Sequence, residues 1–274
     1  MDKLAEFDNA YFESKLNQLQ LTVLDSGCVN LDSSWKWVDV ASPFNRLYFI
    51  LEGAGALVFD DKTLALTPNF VYLIPAHSKN TYLCEHFMKQ YFFAFQMEVV
   101  PGHDFFETLK QPVSLPTPVD FLHQLCIHTG ISSVSNALWL KAKIYEFLTD
   151  FSALCTEDAF EKMHLYEKYK PIYDMVENGI AQKMAPAQIH TAIRRIYTAR
   201  LRTFQADTHC TLYTHITARV LQKAKEKLAC SDISIGQLAA VLGYSDEFYF
   251  SRVFKKHVGI APSVYRRRCL SSSH

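Results

Sequence analysis

The stretch ISIGQLAAVLGYSDEFYFSRVFKKHVGIAPSVYRRR, residues 233–268, decides the fold of the C-terminal part of the chain. Apolar residues in its first half recur at helical spacing, which predicts a short helix with one buried face: Ile235, Leu238, Ala239 and Leu242. Gly243 follows where a chain leaving a helix takes a positive φ, which glycine adopts without a Cβ clash. Ser245 is then a suitable N-cap, and Asp246 and Glu247 favour the positive end of a second helix dipole. Two short helices joined by a tight glycine turn predict a helix-turn-helix unit.

The second helix of this unit divides into two faces, and its inward face is expected to hold Phe250, Val253 and Phe254. Such a helix enters the DNA major groove through its N-terminal residues. The residues expected to meet DNA are therefore Ser245, Asp246, Glu247, Phe248, Ser251, Arg252, Lys255 and Lys256. Arg252 suits guanine or phosphate, Glu247 suits cytosine N4, and Phe248 suits a thymine methyl group. Lys255 and Lys256 suit the DNA backbone, and the alternative for every cation is a plain solvated face.

Over its whole length, residues 233–268 resemble the C-terminal signature of the AraC/XylS family of bacterial transcription regulators. The resemblance is carried without a gap by Ile235, Leu238, Ala239, Gly243, Tyr244, Phe250, Arg252, Phe254, Lys255, Lys256, Gly259, Pro262, Tyr265 and Arg266. Family members have two helix-turn-helix units joined by a long helix. The resemblance therefore implies a second recognition helix at 245–256, followed by a turn at 259–262. It also implies double-stranded DNA and RNA polymerase as partners, with activation as the usual outcome.

The first unit of such a pair is expected at about residues 170–212, where Phe204 aligns with Phe254 and Leu212 with Pro262. Residues 220–229 fit the connecting helix. The unit departs from the family pattern at four positions: Ile193 and His209 replace glycines, Arg200 replaces an inward apolar residue, and Val220 replaces an arginine. Positive charges nevertheless cluster there, and the candidates for DNA contact are Arg194, Arg195 and Arg202. These arginines suit phosphate, whereas base readout by this unit is left open.

Charge divides the chain in two. The 274 residues have a formal net charge of zero, yet residues 160–274 carry 18 Lys and Arg against 9 Asp and Glu. Residues 1–159 therefore carry an excess of negative charge equal to the positive excess of residues 160–274. A basic rear half suits a polyanion such as nucleic acid, and the alternative is chance segregation of solvated charges.

The seven cysteines form no CxxC pair and no zinc-finger spacing. We therefore expect these cysteines to be small buried residues of a protein in a reducing cytoplasm. The first residues lack the basic and apolar regions of a signal peptide. No apolar run approaches the ~18–20 residues that a membrane-spanning helix needs. The sequence therefore predicts a cytoplasmic protein without a membrane partner.

Residues 35–100 are typical of β-structure, because short runs rich in Phe, Tyr, Val, Ile and Leu alternate with Gly, Pro, Asp and Asn. This spacing favours a sandwich or a barrel. Residues 44–82 resemble the cupin-like barrel that family members carry before their DNA-binding domain, where it senses a ligand and drives dimerisation. The predicted fold class is α+β: a cupin-like barrel with dimerisation helices, then an all-α domain with two helix-turn-helix units.

A metal in this barrel is not expected. Metal-binding cupins supply His-x-His and a Glu in their first motif, whereas Arg46 and Tyr48 stand there in this chain and Glu52 alone makes no site. We therefore predict no metal and no cofactor. The barrel holds either a small organic effector or nothing.

The candidate ligand-binding residues are Arg46, Tyr48, Tyr72, His77 and Tyr82, with Trp35, Trp37 and Phe93 as further lining. The alternative is that aromatic residues on alternating strand positions simply form the core. An inward Arg46 needs an anion partner, either a ligand carboxylate or Glu52.

Helical patterning begins after a proline-rich break at 101–118. Residues 119–130 and 136–155 are both predicted helices, and the second has an apolar stripe wider than one packing partner needs. Dimerisation through this stripe would use Leu140, Ile144, Phe147 and Phe151, and the alternative is that the whole stripe packs on its own barrel. The predicted domains are 1–155 for effector binding and dimerisation, 156–163 as linker, and 164–274 for DNA binding.

Three functions from different classes follow. The first is a sequence-specific DNA-binding transcription regulator, an activator by family habit, that acts as a homodimer and responds to a small effector at the barrel. The second is a cupin-type metalloenzyme with a helical appendage, against which the missing His-x-His argues. The third is a regulator controlled by a protein partner or by temperature, with a vestigial barrel. Of these, the first is the prediction, and it includes no enzymatic activity.

Overall fold

The computed structural model describes residues 19–100, 103–118, 120–130, 133–155 and 158–270. Its N-terminal part consists of strands in two antiparallel sheets: β1 Gln20–Asp32, β2 Lys36–Ala41, β3 Asn45–Gly53, β4 Gly55–Phe59, β5 Lys62–Leu66, β6 Phe70–Ile74, β7 Lys79–Leu83, β8 Phe87–Val100, β9 His103–Asp104 and β10 Val113–Pro116. One sheet has the order β1-β8-β3-β6-β10, with β9 paired to β8, and the other has the order β2-β7-β4-β5. The predicted α+β class is confirmed, with the strands first and the helices after them.

The strand β1 lies before the range 35–100 in which strands are expected. Its register with β8 runs from Gln20 opposite Glu98 to Asp32 opposite Phe87, with one irregularity near Asp25. Most of its side chains are exposed or half-buried, because β1 is an edge strand of its sheet. An edge strand with so little burial lacks the strong apolar run that identified the other strands.

The strand β3 is buried on both faces, which explains its continuous apolar sequence. Tyr48 and Ile50 belong to the core between the two sheets, together with residues of β4, β5 and β7. Leu47 and Phe49 point the other way, into a core that the first two helices cover. Alternation therefore persists in β3, but both of its faces lie in apolar surroundings.

The helices α1 Phe121–Thr129 and α2 Val134–Ser152 pack on the outer face of the larger sheet. The ring of Phe147 on α2 lies 5.4 Å from that of Phe49 and 4.8 Å from that of Phe121. Burial of a side chain of this size contributes about 2–3 kcal/mol. The core of the chain itself thus buries Ile144, Phe147 and Phe151. This packing agrees with the alternative that the apolar stripe of α2 packs on its own barrel. Their predicted place in a dimer interface is not supported by this packing, and Leu140 is only half-buried.

Six helices follow in the part of the chain that the structure describes: α3 Asp158–Ala181, α4 Pro186–Thr208, α5 Leu212–Cys230, α6 Ile235–Val241, α7 Glu247–Val258 and α8 Pro262–Leu270. The range 156–163, predicted as the linker, overlaps the start of α3, and residues 156 and 157 lie outside the described residues. The domain boundary therefore stays a prediction. The connecting helix α5 is longer than the expected 220–229, because Thr211 caps it by accepting from the amide of Thr214.

The first unit contains a kinked helix where a turn is expected. The helix α4 is continuous from Pro186 to Thr208 except at Tyr197, whose φ of −117° and ψ of 26° are not helical. Ile193, which replaces the turn glycine, is fully buried within the helical part of α4. A β-branched residue at positive φ is strongly disfavoured, so the chain stays helical there and bends four residues later.

The second unit has the expected helix-turn-helix geometry. Gly243 adopts a φ of +79° between α6 and α7, and Gly259 adopts a φ of +88° at the end of α7. Leu238, Phe250 and Phe254 are fully buried, as the sequence predicts. The N-cap differs, because Asp246 rather than Ser245 caps α7. The Asp246 carboxylate accepts from two amides, and a charged acceptor binds them more strongly than a hydroxyl does.

The barrel and the helical part share buried contacts. Phe44 and Ala94 of the barrel belong to the same apolar cluster as the helical core. Arg219 on α5 donates to Glu98 on β8 at 2.6 Å and to Glu177 on α3 at 2.6 Å. The connecting helix is therefore joined to the barrel by apolar packing and by an ion pair.

The cysteines differ from the expectation of burial. Among the described residues Cys28, Cys126 and Cys230 are exposed and Cys84 is buried, and none of these four forms a disulfide. No described helix has the length and apolarity needed to cross a membrane.

Candidate nucleic-acid interface

The N-terminal half of α7 projects from the surface. Phe248 is 72% exposed and Tyr249 is 47% exposed, whereas Phe250 and Phe254 on the opposite face are fully buried. The buried face is what holds α7 against α6 and α8, so the outward residues are presented on a supported helix.

Two of the predicted contact residues have structural tasks in the free protein. The carboxylate of Asp246 accepts from the amides of Phe248 and Tyr249 at 2.8 and 2.9 Å. The carboxylate of Glu247 lies beside the first turn of α6, where a Cβ on Gly236 would be 2.7 Å from Oε2. Both acids thus stabilise helix starts, which gives their presence on the predicted DNA-contact surface a reason other than base readout.

The cations of α7 lie on its exposed side. Arg252, Lys255 and Lys256 are exposed, and Ser251 is half-buried. The guanidinium of Arg252 lies 6.0 Å from the ring centre of Tyr249, an arrangement that favours one orientation of a flexible side chain. Lys255 and Lys256 fall in the last turn of α7, where positive charge also suits the helix dipole.

The first unit presents a comparable basic surface on α4. Arg194 and Arg195 are exposed just before the kink, and Arg202 is exposed after it. Phe204 is fully buried, like Phe254 fifty residues later, so Arg202 and Arg252 occupy equivalent positions two residues before each buried ring. The structure therefore places the predicted DNA contacts on the second half of each unit.

Only part of the predicted ligand pocket is brought together. A small cavity of about 20 Å³ is lined by Arg46 and Tyr48, with Asp25, Val29, Leu31, Trp35, Phe44, Gln90, Phe92, Ala94, Ala229 and Cys230. Arg46 donates to the Ser42 hydroxyl, and its guanidinium lies 4.8 Å from the ring centre of Phe44. Glu52, the suggested partner of Arg46, is exposed.

The other predicted pocket residues do not line this cavity. The hydroxyl of Tyr72 accepts a hydrogen bond from the amide of Thr67 and donates one to the carbonyl oxygen of the same residue. His77 is exposed after β6. Tyr82 packs beside Tyr48 in the core between the sheets. Trp37 packs against this same core, whereas Phe93 lies in the core under α1 and α2, because it alternates out of phase with Phe92 and Ala94. For Tyr72, Tyr82, Trp37 and Phe93 the alternative of simple core packing describes the structure, whereas His77 is neither in the core nor at the cavity.

The two tyrosines near Arg46 keep their protons. Burial raises the pKa of Tyr48 and of Tyr82, and the charge of Arg46 acts in the opposite direction on both. Each hydroxyl is therefore a hydrogen-bond donor at any ordinary pH. A ligand in this cavity would meet the guanidinium of Arg46 and the side-chain amide of Gln90.

Sequence reasoning missed two features. The side-chain oxygen of Gln90 is buried without a hydrogen-bond partner in the described structure and lies at the cavity. Arg219, whose side chain is 2% exposed, joins Glu98 and Glu177. A signal for Arg219 existed, since it stands next to Val220, the position where the family pattern has an arginine. Its partners were not predictable, because Glu98 is 121 residues away.

Among the described residues no group of three or more His, Cys, Asp or Glu is placed to hold a metal ion.

The chain is similar to known proteins both in its helix-turn-helix region and over most of its length. A family model described as "Helix-turn-helix domain" matches residues 198–268. The chain is 22% identical over 280 residues to the Msm operon regulatory protein of Streptococcus mutans, covering 94% of this chain and 97% of that protein. It is 25% identical over 255 residues to the transcriptional activator RhaR of Pectobacterium atrosepticum, covering 83% of this chain and 85% of that protein. The solved structure of ToxT from Vibrio cholerae superposes on this chain with a TM-score of 0.47 at 15% identity. The superposition covers 89% of this chain and 98% of ToxT. The family match confirms the helix-turn-helix prediction for residues 233–268.

Proposed function

We propose that this chain, which carries an AraC/XylS-type helix-turn-helix domain over residues 198–268, is a sequence-specific DNA-binding regulator of transcription. It acts as an activator with RNA polymerase, in the cytoplasm, without catalytic activity of its own. Relatives that align over most of their length are an operon regulatory protein and a transcriptional activator. Because this similarity extends beyond the helix-turn-helix domain, it supports regulation of transcription as the role of the whole chain.

One observation carries the proposal: α7 presents Phe248 and Arg252 outward on a helix whose opposite face is fully buried. A helix held in this way can enter a major groove without rearrangement. Arg252 then reaches guanine O6 and N7, and Phe248 reaches a thymine methyl group. The basic side chains of α4 hold the neighbouring groove segment through phosphates, which positions the protein without specifying sequence.

Selection of bound fragments from a random DNA pool tests this function. The parent protein is expected to enrich one sequence motif, with affinity that falls steeply as salt rises. Arg252→Ala is expected to relax the motif at one position and to cost about 1–3 kcal/mol of binding. Arg202→Ala is expected to weaken binding to all sequences about equally and to lower the salt slope by about one.

The matched control is Lys227→Ala, which removes an exposed cation of α5 that is not among the predicted contacts. This variant is expected to bind like the parent. If no motif is enriched, or if Arg252→Ala selects the same motif with the same affinity, the assignment of α7 as the reading helix is wrong.

The barrel modulates DNA binding through α5. Ala229 and Cys230 at the end of α5 form part of the wall of the cavity that Arg46 and Gln90 line. Nearer its middle, α5 is joined to β8 by Arg219 and Glu98. Because α5 also connects the two helix-turn-helix units, an occupant that enlarges the cavity shifts the two units relative to each other.

A small effector is the proposed occupant, and its polar part pairs with Arg46. The test compares affinity for the selected fragment with and without the low-molecular-weight fraction of a cell extract. A change in affinity that disappears in Gln90→Leu places the effector at this cavity. A change that persists in Gln90→Leu assigns the modulation to another surface or to a protein partner.

A further inference from the structure

A large cleft separates the two helix-turn-helix units. Its volume is about 830 Å³, and it is bounded by the start of α4, the start of α5, the turn before α7 and the outer flank of α7. The residues that matter for its chemistry are Gln188, Tyr213, Tyr244, Arg252, Lys256 and His257. Three of the predicted DNA contacts, Ser245, Arg252 and Lys256, line this cleft, which was not foreseen in the sequence.

The floor of the cleft is held in place by a close backbone contact. A Cβ on Gly243 would lie 2.5 Å from the carbonyl oxygen of Lys183 and 2.6 Å from the amide nitrogen of Ala185. Distances this short are not tolerated between real atoms, so only glycine allows the two units to approach here. Gly243 therefore serves both the turn of the second unit and the fit between the units.

The cleft has a positive lining. Arg252 and Lys256 contribute full charges and His257 lies beside them, and no Asp or Glu is among the described residues that line the cleft. The helix α4 begins at the cleft with Pro186, so the positive end of a 23-residue helix is directed at it. These features favour an anion.

Tyr244 adds an independent indication of a ligand. The residue is 8% exposed, and its hydroxyl has no hydrogen-bond partner in the described structure. Burial, with smaller effects from Tyr213 and Tyr249, raises its pKa to about 12, so the hydroxyl keeps its proton. Tyr244 lines the cleft together with both neighbours, which are about half exposed. The ring centre of Tyr249 lies 5.9 Å from that of Tyr244. A buried donor without a partner costs about 1–3 kcal/mol, which a ligand oxygen would recover.

We propose that this cleft binds a phosphate group of the DNA backbone, with Tyr244 donating a hydrogen bond and Lys256 supplying charge. The inference rests on the proposed function, since it concerns the stretch of backbone between the two groove segments that α4 and α7 contact. The anchor sets the register of the two units on the duplex and reads no base. Tyr244 is thus a positioning residue for base readout by α7.

Tyr244→Phe is the decisive variant, because it removes only the hydroxyl. Affinity for the selected fragment is expected to fall about tenfold, as for the loss of a hydrogen bond to a charged group. The selected motif is expected to stay the same, because a phosphate carries no sequence information. The melting temperature is expected to stay equal or to rise, because an unpartnered buried hydroxyl is removed.

Three further variants complete the test. Lys256→Ala is expected to lower affinity and to reduce the salt slope by about one, again with the motif unchanged. Tyr145→Phe removes a hydroxyl from α2, where it accepts from the amide of Leu21, and is expected to leave DNA affinity unchanged. Lys227→Ala is the matched control for the loss of a cation.

The outcomes separate this inference from the proposed function. If the parent binds no DNA, both the proposed function and the cleft proposal are wrong. If the parent binds DNA and Tyr244→Phe binds it equally well, only the cleft proposal is wrong. A parallel loss of melting temperature and affinity in Tyr244→Phe would assign the residue a merely structural role. Titration of the free protein with inorganic phosphate distinguishes the source of the anion. Saturable binding that Tyr244→Phe abolishes would overturn the DNA assignment in favour of free phosphate.

Discussion

Arg219 of α5 donates to both carboxylate oxygens of Glu98 on β8, at 2.6 and 3.0 Å. The same guanidinium donates to Glu177 of α3 at 2.6 and 3.2 Å. Although burial acts against it, these hydrogen bonds and charges raise the pKa of Arg219. One buried cation thus joins the barrel, the first helix of the helical part and the connecting helix.

Arg219→Ala is expected to lower the free energy of unfolding by about 2–3 kcal/mol. Breaking a buried ion pair by removing one partner costs about 3–5 kcal/mol, because the other charge is left without compensation. The effect is smaller here because Glu98 and Glu177 keep 23% and 30% of their side-chain exposure. Urea denaturation of the parent and the variant measures the difference.

Lys170→Ala is the control for Arg219→Ala. Lys170 pairs with Asp174 at 2.6 Å, but both side chains are about half exposed. Such a pair contributes less than about 1 kcal/mol. Equal losses in the two variants would contradict a special role for the buried cation.

Asp104 is expected to make stability depend on pH. Its carboxylate accepts from Asn45 Nδ2, from the amide of Met97 and from that of Phe106, at 2.8, 3.0 and 2.8 Å. Burial outweighs these bonds and raises its pKa to about 6. An unfolded Asp has a pKa of about 3.9, so the folded state holds the proton more tightly. The contribution of this group to stability is therefore full below about pH 4 and is lost as the pH rises through about 6.

Asp104→Asn tests that dependence. Between pH 4 and pH 7 the parent is expected to lose about 2–3 kcal/mol of unfolding free energy relative to the variant. Carboxylates common to both proteins cancel in the comparison. A difference between parent and variant that stays constant with pH would show that Asp104 titrates alike in the folded and unfolded states.

His209 and Gly259 offer a matched pair for backbone strain. Both end a helix in the left-handed region, with φ of 53° and 88°, and they lie fifty residues apart in equivalent positions. His209→Gly is expected to raise the unfolding free energy by up to about 1 kcal/mol, because glycine adopts this conformation without a Cβ clash.

Gly259→Ala is expected to act in the opposite direction, by about 1 kcal/mol. A Cβ at Gly259 meets no atom within 4 Å, so the change acts through φ alone. Thermal or urea denaturation of the two variants provides the measurement. Stabilisation by Gly259→Ala would contradict the argument.

The helix α2 retains an exposed apolar surface that a second chain can cover. Val134 and Leu138, one turn apart, are 89% and 69% exposed, whereas Phe147 on the same helix is buried. If the protein dimerises through α2, Leu138→Asp is expected to shift it toward the monomer in sedimentation, with little change in unfolding free energy at low concentration. A dimer that survives this substitution would place the interface elsewhere.

Phe147→Ala separates the two roles that one apolar stripe can have. Because Phe147 packs on Phe49 and Phe121, its truncation is expected to cost about 3–5 kcal/mol of unfolding free energy. The stability loss should be present at all protein concentrations. A loss that vanishes on dilution would instead assign Phe147 to the interface between chains.

The second helix-turn-helix unit was predictable because its signals are local. A glycine at the turn, an acid at the helix start and apolar residues at helical spacing all act within about thirty residues, and the buried Phe250 and Phe254 follow from spacing alone. The cap moved by one residue, from Ser245 to Asp246, because both residues suit the position and the Asp246 carboxylate is the stronger acceptor. The barrel strands within residues 35–100 were recognised for the same reason, whereas β1 and the short strands β9 and β10, which lie in the predicted break at 101–118, were not.

Contacts over long distances in sequence were decided only by the tertiary structure. The burial of Ile144, Phe147 and Phe151 depends on which sheet face α2 covers, and the apolar stripe fits its own barrel as well as a second chain. The partners of Arg219 and the solvent-excluded hydroxyl of Tyr244 depend on how separate elements pack. A sequence pattern records how strongly a residue prefers burial, whereas the partner it meets there is set by packing of elements far apart in the chain.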